Sequence, residues 1–470
     1  MTLVLILSLL AAALWSLVIL RWGSVFSLAL ALILIGIPLG PKFWTATGPI
    51  PITIDRVLWC ALVGLFLVHR KWGWTDPLRW TFGDGVVAGL VVVTGLSAVL
   101  FPAESPLGTR LSPWLFNFLI PAVGYAIARG YSVSAREVRW LVHGLIGMGI
   151  YLSATALLEV TGLYALVLPR YIVDQKALEF LGRARGPLMN PSANGIMLTL
   201  CLSATLVAWR QSRGRLGKVF LAVVILLELA GAYATLTRCV WLGVAALLAL
   251  AVAVSLPARI RWLAMIFGLG ISAVAGPTLY ESFKEMKRDK NLSASAARDS
   301  IELRPLLGAI AWEMFRDSPV LGHGYGQYLE NNRRFLRGHA WDLPLQKAGT
   351  FVQHNIFLSI LVDCGLVGLF FFVATLGWWG ATAFHLIRSN DRQISNPLGW
   401  LLGAGLIGYI INGLFQDATL FSMVHVVLMI VAGFAVGARE RIGSLAKSAT
   451  LDDRLWRVFR KPPVFQRLPA

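Results

Sequence analysis

The chain has 470 residues, of which 57% are hydrophobic and 14% charged, with a formal net charge of +18 and a mean hydropathy of +0.69. A soluble domain carries roughly a quarter of its residues as charges, so this composition excludes one and points to a membrane protein. The positive charge does not indicate nucleic acid, because much of it sits in short loops and a tail where topology and anionic lipid account for it.

Apolar windows near the length that crosses a bilayer recur at 3–20, 24–39, 57–69, 86–101, 113–128, 140–160, 193–209, 219–236, 241–256, 262–280, 352–387, 398–416 and 421–437. Backbone in lipid must satisfy its hydrogen bonds within the segment, so these windows read as helices. They number about thirteen, or twelve if the first two form one hairpin or an incomplete span. The first lacks a basic leader region and is followed by further spans, so it reads as a retained helix. The fold class expected is an all-α polytopic membrane protein. Its parts are membrane helices over 1–281, a large partly helical loop over 282–351, further membrane helices over 352–437 and a basic tail over 438–470.

Lys and Arg near helix ends favour the cytoplasm. Arg70, Lys71 and Arg79 share one loop; Arg129, Arg136 and Arg139 the next; Arg210, Arg213, Arg215 and Lys218 another; then follow Arg259 with Arg261, Arg388 with Arg392, and the tail. All fall on one side, which places 40–56, 102–112, 163–192 and 282–350 outside. The four cysteines, Cys60, Cys201, Cys239 and Cys364, lie inside or at the edge of apolar segments with no paired spacing that suggests a disulfide framework or a metal site.

Three outer stretches carry arginines. "GRARGPLMNPSANG" (182–195) closes one outer loop, with Asn190 or Ser192 as a cap, Pro191 in the first turn, and Arg183 and Arg185 beside the positive end of the helix. Such an end attracts anions. "AYATLTRCVWLG" (232–243) sets Arg238 between two apolar helices with almost no loop, where a charge must reach water, a cavity or a partner. "IELRPLLGAIAWEMFRDSPVLGHGYGQY" (301–328) reads as an amphipathic helix with Arg304 at its start, ending before Pro319, followed by a glycine-rich turn. No strand precedes that turn and no Gly-Lys-Ser/Thr follows, so it is loop architecture and not a phosphate loop. His323 and His339 read as solvated loop histidines, with no second ligand at metal spacing.

"GTFVQHNIFLSILVDCGLVG" (349–368) heads the next span. Thr350 and Gln353 have the spacing of a capping box, which would start the helix at Thr350 and put His354 in its first turn. The positive end of the helix disfavours the imidazolium, so the ring is a candidate general base. A helix from 351 to 387 would be roughly 55 Å long against a hydrocarbon core of about 30 Å, so it protrudes or bends, with Gly365 and Gly368 as the bend. Asp363 falls on the opposite helix face from His354 and is a poor partner for it. Glu228 and Asp363 read as buried, paired or neutral carboxyls.

Taken in order, "GRARGPLMNPSANG", "TLTRCVWLG", the 303–328 stretch and "HNIFLSILVDCGLVG" resemble the O-antigen ligase and polymerase family of bacterial envelope glycosyltransferases, most strongly over 180–370. The resemblance implies a GT-C-like membrane enzyme of the bacterial inner membrane with its active site facing the periplasm. It implies transfer of a glycan from undecaprenyl diphosphate to a repeat unit or to lipid A core, without metal, nucleotide sugar or other cofactor. Its partners would be the lipid-linked donor, the glycan or lipid A core acceptor, the bilayer and, for a polymerase, a chain-length regulator. It further implies His354 as the catalytic base, with Arg183 or Arg185, Arg238 and Arg304 as substrate-binding arginines and Asn355 beside the base. A flippase or other transporter of lipid-linked glycan is the competing reading, weakened by the single large outer loop and by halves without visible repeat symmetry.

Overall fold

The computed structural model describes residues 23–46, 51–75, 80–101, 105–177, 179–257, 259–261, 263, 294–336 and 344–459. The apolar windows at 3–20 and 262–280, and His339, lie outside the described residues. The remaining eleven windows all fall on helices. In chain order these are α1 (Val25–Leu34), α2 (Ile54–Lys71), α3 (Phe82–Leu100), α4 (Leu107–Arg129), α5 (Ala135–Thr161), α6 (Pro191–Gln211), α7 (Arg215–Ala234) and α8 (Arg238–Ser255). The amphipathic helix α9 (Ala294–Asp317) is followed by α10 (Ile356–Ile387), α11 (Ser395–Gly413) and α12 (Ser422–Phe459). Eight of the described helices are long and apolar enough to span a bilayer. A two-residue antiparallel ribbon, Thr45–Ala46 with Ile52–Thr53, precedes α2.

Local chemistry accounts for most boundaries. Thr81 with Asp84 and Ser134 with Glu137 form capping boxes at the starts of α3 and α5. Asn190 accepts from the backbone of Ser192 and Ala193 and is followed by Pro191, so the cap read for α6 is present. In α4, Pro121 has no N–H to give to the carbonyl four residues back, and the turn before it, Leu115–Leu119, widens to a π turn.

The bundle centres on α6, α11 and the first half of α12. The apolar windows of α6 and α12 are each 83% buried, against 22% for α7 and 28% for α8, so the latter two face lipid. Close approach depends on small residues, since a Cβ on Gly195 would lie 2.1 Å from Val240 and one on Gly433 2.4 Å from the Tyr125 carbonyl. The basic loops gather at one end, where Gln211 donates to the Arg392 carbonyl and Arg441 to Ser132 and the Tyr131 carbonyl. The described parts of the loops 163–190 and 318–355, together with 414–421, lie at the other end.

Three sequence expectations are corrected here. The amphipathic helix starts at Ala294, which puts Arg304 mid-helix beside Pro305 and not at the start. The helix that carries the last span, Ser422–Ile442, continues to Phe459, so the first part of the expected tail is a continuation of α12. The eleventh span begins at Ile356, not Thr350. Asn355 caps it by accepting from Phe357 N at 2.9 Å and Leu358 N at 3.1 Å, while Gln353 is buried away from a capping role.

The bend expected in α10 lies at Gly365, whose φ of 63° and ψ of −164° break the helix. The segment after α9 threads into that break. His323 N donates to the Val362 carbonyl at 2.9 Å and Gly324 N to the Asp363 carbonyl at 3.0 Å, while Leu366 N donates to the Pro319 carbonyl at 2.9 Å. Backbone groups freed inside an apolar bundle must find partners there, and residues 319–326 supply them. The glycine-rich turn is therefore a built insertion, not a loose connector. His323 is likewise not solvated: it is buried, with its Nε2 2.7 Å from the Met314 carbonyl.

Candidate active site

His354 sits immediately before the cap of α10 and is half-buried. The cap residue next to it, Asn355, also donates through Nδ2 to the Leu414 carbonyl at 3.2 Å, which ties the start of α10 to the end of α11. Arg304 arrives from α9 with its guanidinium carbon 5.7 Å from the centre of the Phe415 ring. Three separate segments thus converge within two residues of Leu414 and Phe415. Burial, and then the positive charge of Arg304, hold the His354 imidazole below its ordinary pKa. The ring is accordingly neutral at physiological pH, held so by desolvation first and by the Arg304 charge second.

Beneath His354, Ser359 donates to Asp417 at 3.0 Å, and Asp417 also accepts from Thr419 Oγ1 at 2.6 Å. Burial pushes the Asp417 carboxyl up to about 6 against these hydrogen bonds. Asp363 is buried and accepts from Gly326 N at 3.0 Å. Glu228 is buried and accepts from Thr205 at 3.0 Å, within the bundle.

A second group forms where the 182–186 stretch runs beside the junction of α7 and α8. Ala184 N donates to the Ala234 carbonyl at 3.2 Å. Arg183 donates to Thr237 Oγ1 at 2.9 Å and lies 5.3 Å from the Phe180 ring centre, so its guanidinium stands at the residue preceding Arg238. Arg238 opens α8. The two arginines are therefore neighbours although 55 residues separate them.

Arg185 is placed differently. Its side chain is fully buried, and its guanidinium donates to the carbonyls of Ile172 at 2.7 Å, Glu179 at 2.8 Å and Asp174 at 3.1 Å, and to that of Ala177. Its backbone N–H and that of Gly186 donate to the Glu159 carboxylate. Arg185 is the peg on which the 170–186 loop is wound.

The two groups lie on either side of the end of α11. A Cβ on Gly243, one turn and a half into α8 from Arg238, would lie 3.7 Å from Asn412, and one on Gly413 would lie 2.7 Å from Ile356. Phe415 and Asp417 carried no signal in the sequence beyond their position in a short connection. Among the described residues no cluster of three His, Cys, Asp or Glu could hold a metal ion.

No curated relative matches the chain. The family model described as O-antigen ligase matches residues 221–373, about a third of the chain, and takes in Arg238, Arg304, His354 and Asn355 but not Arg183 or Arg185. The chain is thus a polytopic membrane protein that resembles the O-antigen ligase family, with its signature lying in the stretch from α7 to the middle of α10.

Proposed function

We propose that this protein is a membrane glycosyltransferase that moves a glycan from undecaprenyl diphosphate to an acceptor hydroxyl at the end of the bundle bearing His354, on the periplasmic face of the inner membrane. The observation that carries the reading is the neutral, half-buried His354 with Arg304 beside it. His354 takes the proton of the acceptor hydroxyl as that oxygen attacks the anomeric carbon from the face opposite the diphosphate. The bond from that carbon to the diphosphate oxygen breaks, its electron pair leaves with the diphosphate, and the anomeric configuration inverts. Guanidinium groups meet the developing charge in a partly desolvated setting, where charge-assisted hydrogen bonds are strong.

Arg183 and Arg238 are the diphosphate anchors on this reading, and Arg304 faces the reacting end of the same lipid-linked donor. The geometry favours Arg183 over Arg185, whose N–H groups are already committed to loop carbonyls. Asn355 holds the base in place by capping α10 and bonding Leu414. The acceptor is a growing polymer on the polymerase reading and lipid A core on the ligase reading.

Purified protein with a lipid-linked glycan donor and acceptor tests this directly. His354→Ala should abolish transfer while donor binding persists. Transfer at the wild-type rate would remove His354 as the base.

A further inference from the structure

Bordered by Leu420, at the end of the turn that Asp417 caps, lies a cavity of about 400 Å³ that the transfer chemistry does not use. Its walls are the first turns of α2 and α12, the Pro41 turn and the π turn of α4. Small-molecule sites generally run from about 300 to 1,000 Å³, apolar in the main with a few fixed polar groups, and this one follows that plan. Trp59 and Phe116 are its flat walls. Asp55, Arg56, Asn117 and Ser422 are its polar groups.

Several of those groups await a partner. The indole N–H of Trp59 and the Oδ1 of Asp55 are shielded from solvent yet have no hydrogen-bond partner among the described residues. Buried polar atoms in folded proteins are almost always paired, and these two orphans belong to residues four apart on one helix that line the cavity, so a polar molecule seated there would satisfy both once their side chains turn toward it. The rest of the lining is held still. Ser422 Oγ donates to Asn117 Oδ1 at 2.6 Å, and Arg56 is fixed by the Pro51 carbonyl at 2.5 Å and by the Phe116 ring at 4.5 Å. Asn117 and Phe116 stand in the widened turn of α4, a local geometry common at functional sites.

Charge and shape decide what the molecule is. One arginine, already engaged, opposite one unpartnered carboxylate gives no excess positive charge for a diphosphate. An unpaired carboxylate and indole N–H are equally wrong for a lipid tail. A pyranose ring fits both demands, since its C–H faces lie on aromatic rings while its hydroxyls donate to carboxylate oxygens and accept from indole and guanidinium N–H groups.

Position decides which glycan it belongs to. Arg183 and Arg238 lie on the α6 and α8 side of the α11 end, and His354 follows at α10. Asp417 accepts from Ser359 of α10 and caps the turn Ala418–Leu420 that forms the cavity edge. The Asp417 turn thus joins the cavity edge to α10, the helix that begins just after His354. We propose that the Trp59, Asp55, Phe116 and Asn117 cavity is a carbohydrate subsite that holds a pyranose ring of the acceptor glycan. Its assignment to the acceptor rests on the transfer reading above, whereas its affinity for a sugar ring does not.

The test is saturation-transfer NMR on the full chain in lipid nanodiscs free of glycoside detergent, with methyl glucoside, galactoside, mannoside and N-acetylglucosaminide as probes. At least one should receive saturation from the wild-type protein. Trp59→Ala and Asp55→Asn should reduce that signal at least fivefold, Trp59→Phe, which keeps a ring and loses only the N–H, about twofold. His354→Ala and Trp209→Ala, the latter at the basic end of α6, should leave it unchanged. No transfer to any hexoside from the wild type, or an undiminished signal in both Trp59→Phe and Asp55→Asn at wild-type melting temperature, would overturn the subsite. Sugar binding that behaves as stated while His354→Ala still transfers glycan would leave the subsite standing and remove the catalytic reading.

Discussion

Replacing Gly365 by alanine tests whether the insertion of 319–326 into α10 holds the active end together. The residue lies at φ 63° and ψ −164°, a region that only glycine occupies readily, and a side chain there costs about 1–3 kcal/mol in backbone strain. A Cβ would also fall 2.2 Å from the Val320 carbonyl oxygen and 2.3 Å from its carbon. Neither atom belongs to a flexible side chain, so backbone must move, at a further cost of about 1–3 kcal/mol. Movement lengthens the bonds from Leu366 N to Pro319 and from Val367 N to Val320, each contributing about 1 kcal/mol. The sum is roughly 4–8 kcal/mol, large for one methyl group. Gly377, in the second half of the same helix, is the internal control, because a Cβ there meets nothing within 4 Å and Gly→Ala in a helix is worth about 0.5–1 kcal/mol in its favour. Thermal unfolding in nanodiscs should show Gly365→Ala melting well below wild type with transfer lost, and Gly377→Ala at or above it. Coincident melting of the two variants would refute the inserted loop.

Arg304→Ala removes a positive charge that disfavours the imidazolium, so the His354 pKa should rise and the acid limb of the pH–rate profile should move upward; an unmoved limb would separate Arg304 from the base. Arg183→Ala should weaken binding of undecaprenyl diphosphate glycan at least tenfold with little change in melting temperature. Arg185→Ala should do the reverse, because it strands carbonyls of Ile172, Asp174 and Glu179 that each cost about 1–3 kcal/mol unpaired; comparable donor affinities in the two variants would contradict the division of roles. Asn355→Ala should cost about 1 kcal/mol of stability through the lost cap and lower the transfer rate more than donor affinity, and a change confined to affinity would count against Asn355 as the residue that positions His354.

What could be read from the sequence was what is decided locally. Hydropathy placed the described spans because lipid imposes its length and backbone rules on each segment separately. The Asn190–Pro191 start of α6 and the bend at Gly365 were legible for the same reason, being properties of a few adjacent residues. The Thr350 capping box failed since two cap signals lay five residues apart. The spacing at Thr350 and Gln353 was right, but Asn355 offered a cap that also bonds Leu414, and tertiary contact chose between them. The 319–326 insertion was hidden because its hydrogen bonds join it to residues some 40 positions away. Glycines 322, 324 and 326, all at positive φ, were visible only as a flexible turn.

Arginine identity was the least legible feature and, on the proposed function, the one that bears most on donor binding. Arg183 and Arg185 have the same flanking glycines and the same distance from α6, to within two residues, so no spacing rule separates them. Their fates diverge because residues alternate sides along an extended stretch and one neighbour lies between. Arg185 points into the 170–179 loop and Arg183 toward the start of α8. A guanidinium surrounded by four backbone carbonyls gives its hydrogen bonds to structure, and an incoming diphosphate would have to break them. On the proposed reading Arg183, whose contacts include the Thr237 hydroxyl and the Phe180 ring, turns toward a phosphate, where charge-assisted bonds are stronger than a neutral one. On the proposed reading, loop winding and anion capture fall to alternate arginines of one short motif, and the loop that Arg185 fixes presents Arg183 beside the start of α8.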